Sequence, residues 1–442
     1  MSGSRPTTKG VFLRFAPTEQ RSLNASVWRQ TWYPAYGILG ALTSLVAILL
    51  PIAMARASFP PFKIGVVMSA LNLGLLLSPI WGRLADRTRM YRAIFSFGFI
   101  LLGASFAGFC VTRGALVWTV VAFLQGIGVA AVSTVASLLV VVSNSRADWD
   151  RHIGWLQGHN TAGQVAGLAL AGLLSSTVGL ELGLLLSVVA IFLALRVRCE
   201  TTSSAVGPHT AAFAHPTRLA RRTELFTRTP FHHLDALALL ADLHEIVLSR
   251  FGRFLIAWFF LSAATSAFFS LYPVMMPHVY GISAQVVVEL YAGTILLTLP
   301  LYSLVGRWSE RFGAGRMFEI GAGARTSAFL ALGLLAFAPF TAASPLVLVS
   351  FAALQGLWPF LGVSAIDLAA RLSQFGEGAG IGMLNGAGAL AGALGAVIGG
   401  FSAQSFGYWS VPFLGAGGAA LCWALSTRMV RRIPPRHAVA RP

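Results

Sequence analysis

The chain has 442 residues, 56% of them hydrophobic and 11% charged, with a formal net charge of +17. An ordinary soluble domain carries about 25% charged residues, and a soluble chain of this length would need several domains joined by polar linkers. Instead, apolar runs of about twenty residues, the length that spans a bilayer as a helix, recur from end to end; they exclude the soluble, collagen-like and disordered classes and describe a multi-pass membrane protein.

Residues 1–35 are polar and basic, without the apolar core or small-residue cleavage site of a signal peptide, and read as a cytoplasmic tail. Six apolar spans follow, at 36–57, 61–82, 93–111, 115–142, 152–178 and 180–198. Residues 199–250 form the one long connection, Ser/Thr/Ala/His-rich at first and then helical in pattern over 231–250. In that helix Leu237, Leu240, Leu243 and Val247 share a side, so it can rest on the inner membrane surface. His232, His233 and His244 lie beside carboxylates there but match no metal-ligand spacing. A second set of spans runs over 251–273, 283–306, 317–338, 344–367, 377–401 and 407–428, before a basic tail at 429–442. The fold expected is an all-α integral membrane protein of twelve transmembrane helices in two six-helix bundles, 36–198 and 251–428.

Charge gives the orientation. Apart from Arg56, Lys63, Arg113 and the intraspan Arg325, every Lys and Arg falls on the side that holds both tails and the central connection. That asymmetry is the positive-inside pattern, with both termini in the cytoplasm, as expected in a cytoplasmic (inner) membrane. Scattered in short groups, the basic residues make no nucleic-acid face. Cys110, Cys199 and Cys422 are far apart and form neither a disulfide framework nor a metal site. No phosphate-binding loop, metal cluster or nucleophile–base constellation is present, so neither an enzyme nor a resident cofactor is expected.

The two halves repeat. Gly82-Arg83-Leu84-Ala85-Asp86-Arg87 recurs as Gly306-Arg307-Trp308-Ser309-Glu310-Arg311 at an offset of 224. Leu124-Gln125-Gly126 recurs as Leu354-Gln355-Gly356 at 230, and Ile153-Gly154-x-Leu156-x-Gly158 as Ile381-Gly382-x-Leu384-x-Gly386 at 228. Three matches in order at nearly one offset are the mark of a duplicated six-helix unit. The pattern resembles the major facilitator superfamily of secondary transporters over about residues 36–428. That family's loop 2–3 signature, Gly-x-Leu-Ala-Asp-Arg-x-Gly-Arg-Lys/Arg, is met by Gly82, Leu84, Ala85, Asp86 and Arg87, with Arg89 in place of the second Gly; Gly306, Arg311, Gly313 and Arg316 meet it in a weaker second copy.

The resemblance implies alternating access, with each half moving as a near-rigid bundle about a central site. It places Asp86 at the start of span eleven, near residues 376–381, and Glu310 at the start of span five, near His152 and Ile153. There each carboxylate would favour a helix amino terminus and lock the outward-open state. The family's exporters carry a span-five signature, Gly-x3-Gly-Pro-x2-Gly-Gly. Gly163, Gly167 and Gly172 fit it, while Leu168 and Ala171 depart from it, and Ala122 stands where the family's span-four Arg would be.

Family binding sites are lined by spans one, four, seven and ten. Here those spans offer Gln125, Ser133, Thr134 and Ser137, then Trp258, Thr265, Ser266, Phe269 and Tyr272, then Gln355 and Trp358. Aromatic faces with a few hydroxyls suit an amphipathic or cationic organic molecule. For coupling to protons the candidates are Glu289, about two turns inside the outer end of span eight, and His159 in span five. Arg325, with no same-face acid on its own helix, is expected to snorkel or to cap a neighbouring helix. The function expected is proton-coupled export of small amphipathic organic molecules by a monomer in the lipid bilayer. Uptake or facilitated diffusion of a small metabolite is the alternative within transport, and a non-transporting assembly or receptor factor the alternative outside it.

Overall fold

In the computed structural model the described residues are 32–143, 149–174, 176–196, 249–338, 345–374 and 377–430, and every regular element among them is a helix. The two tails and the central connection, with His232, His233 and His244, lie outside the described residues, apart from short stretches next to the spans. Span one is Trp32–Arg56, span three Tyr91–Val111, span four Ala115–Ser143, span five Trp149–Leu173 and span six Ser176–Leu195. Span eight is Ala284–Phe312, span nine Ala314–Leu335, span eleven Glu377–Phe406 and span twelve Ser410–Val430.

The other three spans are each two helices. Span two is Pro61–Leu75 and Ser78–Thr88, span seven Arg250–Phe269 and Tyr272–Tyr280, and span ten Pro345–Gly356 and Trp358–Leu372. Each break has the same local cause: Pro79, Pro273 or Pro359 is the second residue of the following helix. A proline there has no N–H for the preceding turn and fits the start of a new helix.

Spans two, seven, eight, ten and eleven run further than expected. Span eight continues through Arg311 and stops only at Gly313, whose φ of 90° ends it and opens span nine directly. Both copies of the repeated Gly…Arg motif are therefore helical rather than loops: Gly82–Arg87 lies within Ser78–Thr88, and Gly306–Arg311 within span eight. Among the described residues eleven helical segments are long and apolar enough to cross a membrane; span five is the one that falls short. Its polar side chains are matched by span one. Asn160 Nδ2 donates to the Tyr36 carbonyl at 3.4 Å, Gln157 bonds Tyr36, and the Ser44 hydroxyl donates to the Gln164 carbonyl at 3.1 Å. Lipid need not solvate what a neighbouring helix already satisfies.

The packing repeats as the sequence does. Spans one and five, three and six, and one and six pack together in the first half, and their counterparts seven and eleven, nine and twelve, and seven and twelve do so in the second. The register of the repeat is visible in side chains. A methyl group on Gly98 would meet Ala131, and one on Gly321 would meet Leu361, their counterparts at offsets of 223 and 230.

The halves meet through spans two and eleven, five and eight, and one with Tyr272–Tyr280. These contacts gather toward one face, here the far face, away from the side on which span one begins. A methyl group on Gly400 would come 2.7 Å from the Pro61 carbonyl oxygen, one on Gly65 would collide with the Ala396 carbonyl, and one on Gly172 would lie 3.4 Å from Val288. Toward the near face, Ser78–Thr88 packs on spans three and four of its own half. There a methyl on Gly158, Gly306, Gly382 or Gly386 would meet nothing within 4 Å. The molecule is closed at the far face and parted at the near one.

Candidate substrate site

Six of the sequence-predicted cavity residues come together in the second half, around a side chain that was expected elsewhere. Arg325 is 0% exposed, the only buried charged side chain among the described residues. Its Nη1 donates to the Leu354 carbonyl at 2.8 Å and its Nη2 to the Thr265 hydroxyl at 3.4 Å. Leu354 lies in the last turn of the first helix of span ten, so the guanidinium sits where carbonyls and the helix dipole favour a cation. It does cap a neighbouring helix; it does not snorkel, because rings enclose it. Its centre lies 5.9 Å from the Phe269 ring, 5.6 Å from Phe329 and 5.5 Å from Trp358.

The rings continue outward as one cluster. Trp358 and Trp258 have centroids 6.0 Å apart, Phe269 and Tyr272 5.6 Å, and Tyr272 and Tyr291 5.4 Å; Phe351 stacks on Tyr272 at 5.7 Å. Gln355 hydrogen-bonds Tyr291. Thr265, Phe269, Tyr291, Gln355 and Trp358 are half-buried and form the layer in front of Arg325, while Trp258 at 8% and Tyr272 at 2% exposure are buried beside it. Several donors in this wall have no hydrogen-bond partner: Arg325 Nε, the Trp258 indole N–H and the Tyr272 hydroxyl. A buried donor left unpaired costs free energy. The faces offered by the sequence to a cationic ligand are thus already in contact with the protein's own cation.

The remaining candidates lie elsewhere or are already used. The Ser266 hydroxyl is taken by the Gly392 carbonyl at 2.6 Å, which ties span seven to span eleven. Ser133 and Ser137 bond carbonyls of their own helix, and Thr134 packs toward Gly82 of span two. Gln125, the counterpart of Gln355, is 1% exposed, and neither amide atom has a partner; the Tyr291 that satisfies Gln355 is Val67 at the offset of 224. His159 packs beside span one, its ring 5.5 Å from Tyr33 and its Nδ1 2.8 Å from the Trp155 carbonyl oxygen.

Glu289 requires a correction. It is exposed, its Oε1 accepts from Gln285 Nε2 at 2.9 Å, and it lies about 160° around span eight from Tyr291 by helical geometry. It points away from Tyr291 and from the cluster around Arg325, so the structure does not bring it into this site. Tyr291 is the residue the sequence left out of the site, and Arg325 is the one it read only as snorkelling or capping. The signal for Arg325 was present, since an intramembrane charge is a functional candidate by default, but its partners lie on spans seven and ten.

The sequence model of the Major Facilitator Superfamily matches residues 32–371. The chain belongs to this superfamily. Solved structures of similar fold include the nucleoside transporter NupG, at 15% identity, a TM-score of 0.70, 91% of this chain and 98% of that one. The xylose transporter XylE from E. coli, in an inward-open conformation, matches at 12% identity and a TM-score of 0.62, over 89% of this chain and 94% of that one. A bacterial homolog of the human lysosomal transporter Spinster, inward-facing and unoccupied, matches at 13% identity and a TM-score of 0.66, covering 95% and 100%. At these identities the likeness is one of fold. Among curated proteins no sequence match is found. Membership makes the chain a multi-pass membrane transporter rather than an enzyme. Of the superfamily's motif residues, Gly82 faces span four, Arg87 and Arg311 are exposed, and Gly306 faces open space; the side chains of Asp86 and Glu310 lie outside the described residues.

Proposed function

We propose that the protein moves small amphipathic organic molecules across the cytoplasmic membrane by alternating access, binding them in the central cleft against the aromatic wall of spans seven, eight and ten. The observation that carries this reading is the pattern of contacts between the halves: glycine seams bring spans two and eleven together near the far face, while their near halves stand apart. With both termini in the cytoplasm, as the charge asymmetry supports, the near face is cytoplasmic and the cleft opens inward. Export is the direction proposed, on the part of the exporter signature that span five keeps. Gly163 and Gly167, which keep part of the exporter signature, hold span five against Gly37 and Ala41 of span one.

Facilitated diffusion is the second reading, and one observation favours it: Glu289 faces away from the cleft, and no described carboxylate lies within ion-pair reach of Arg325. Asp86 and Glu310 are retained as gating residues and His159 as the remaining proton-coupling candidate. The test is flux of labelled aromatic amphiphiles in proteoliposomes, with and without an imposed pH gradient. Uphill movement driven by the gradient supports coupled export; equilibration alone supports facilitated diffusion. Flux equal to that of empty liposomes over a broad panel removes the transport reading in favour of an assembly or receptor role.

A further inference from the structure

Taking transport through the central cleft as given, we infer that the substrate carries a negative charge on a planar aromatic or similarly flat apolar body, and that Arg325 selects it. The first observation is the buried charge itself. Taking an ion out of water is unfavourable unless it is paired, and Arg325 finds only a carbonyl, a hydroxyl and ring faces.

The second observation is that the fold does not need it. Gly98 and Gly321 make equivalent contacts in the two halves, and four residues beyond each stand Leu102 and Arg325, both 0% exposed. Leu102 packs toward Gly128, whose counterpart at the offset of 230 is Trp358, against which Arg325 lies. One half fills this position with a leucine and the other with an unneutralised cation. A packing requirement would be met by leucine in both.

The third observation is the wall in front. Arg325 Nε and the Tyr272 hydroxyl, buried just behind it, have no acceptor, and the half-buried rings of Trp358 and Phe269 in it offer flat apolar surface. A carboxylate or similar anion on an aromatic body supplies both. The guanidinium lies one side-chain layer behind the half-buried Thr265, Gln355 and Trp358, so it acts through its field as well as by contact. At an effective dielectric near 20, an anion about 6 Å away gains roughly a hundredfold in affinity, and its own desolvation reduces this to about tenfold. The same field disfavours an ammonium group, which turns the sequence-based preference for cations around.

The experiment is equilibrium dialysis of the full-length purified protein against three probes of nearly one shape: 2-naphthoate, 2-naphthamide and 2-naphthylmethylammonium. The expected order is naphthoate about tenfold tighter than the amide, with the ammonium weakest. Arg325→Gln should abolish the difference between naphthoate and naphthamide while keeping amide binding, and Arg325→Lys should restore most of it. The inference is overturned if the ammonium binds as tightly as naphthoate, if the preference survives in Arg325→Gln, or if none of the three binds at millimolar concentration. Should Arg325→Gln fail to fold, the wild-type order decides alone. Counterflow of the same probes in proteoliposomes reads transport separately. Movement without charge preference refutes the inference and keeps transport, whereas charge-selective binding without movement does the reverse.

Discussion

Replacing Gly65 by alanine should drive the protein out of the conformation described here. The added Cβ would collide with the Ala396 carbonyl oxygen and stand 3.0 Å from Gly400 Cα, where about 3.5–4.0 Å is a relaxed separation between carbon atoms. Both obstacles are backbone, so no rotamer change relieves them, and the far halves of spans two and eleven must part by about an ångström. Overpacking of this kind costs about 1–3 kcal/mol. Only the far-closed state bears that cost, because alternating access separates these helices in the opposite state. The gain in helix propensity from glycine to alanine, about 1 kcal/mol, applies to both states and cancels. The balance should therefore shift by a factor of about 5–150. Spin labels at Met90 and Gln374, exposed near the near-face ends of spans two and ten, read that balance as a distance distribution, which should move to shorter values. Gly386→Ala is the opposing control: its Cβ meets nothing within 4 Å here, but it lies on the near half of span eleven that closes in the other state, so it should favour the present conformation. An unchanged distribution in Gly65→Ala, or the same shift from both variants, would refute the reasoning.

Three further predictions rest on separate observations. Arg325→Leu, which installs the residue of the other half, should leave the thermal midpoint in detergent unchanged or higher, since replacing a buried ion by a packed apolar side chain is often neutral or stabilising by about 1–4 kcal/mol; flux of an anionic substrate at low concentration should fall about tenfold in parallel, and that of its neutral analogue should not. Glu289→Gln should keep flux and its dependence on pH, because the carboxylate is exposed and bonded only to Gln285 on its own helix; loss of pH dependence would return Glu289 to the mechanism. Tyr280→Phe should destabilise the second half by about 1 kcal/mol, since it removes the buried 2.6 Å hydrogen bond from the Tyr280 hydroxyl to the Leu332 carbonyl; denaturation of the purified variant measures it.

The twelve spans were legible because hydropathy and the twofold repeat act over whole helices, and matched offsets at Gln125/Gln355 and Gly158/Gly386 leave little freedom in aligning the halves. The breaks were not, although every proline was in view. Pro79, Pro273 and Pro359 begin new helices, yet Pro51, Pro277 and Pro300 lie inside continuous ones. Each proline removes one N–H; whether the helix then breaks depends on which neighbour satisfies the freed carbonyls, and that neighbour is distant in sequence. Arg325 shows the same limit. Its own helix offers it no same-face acid, and the acceptors it finds are Thr265, 60 residues earlier, and Leu354, 29 residues later. At the offset of 223 Arg325 stands where the first half has Leu102, and there one half departs from the other. In a duplicated fold, positions where both copies agree report on packing, which both halves must solve. Positions where only one copy is charged report on what that half does alone, and here the one such buried position among the described residues stands behind the aromatic wall of the cleft.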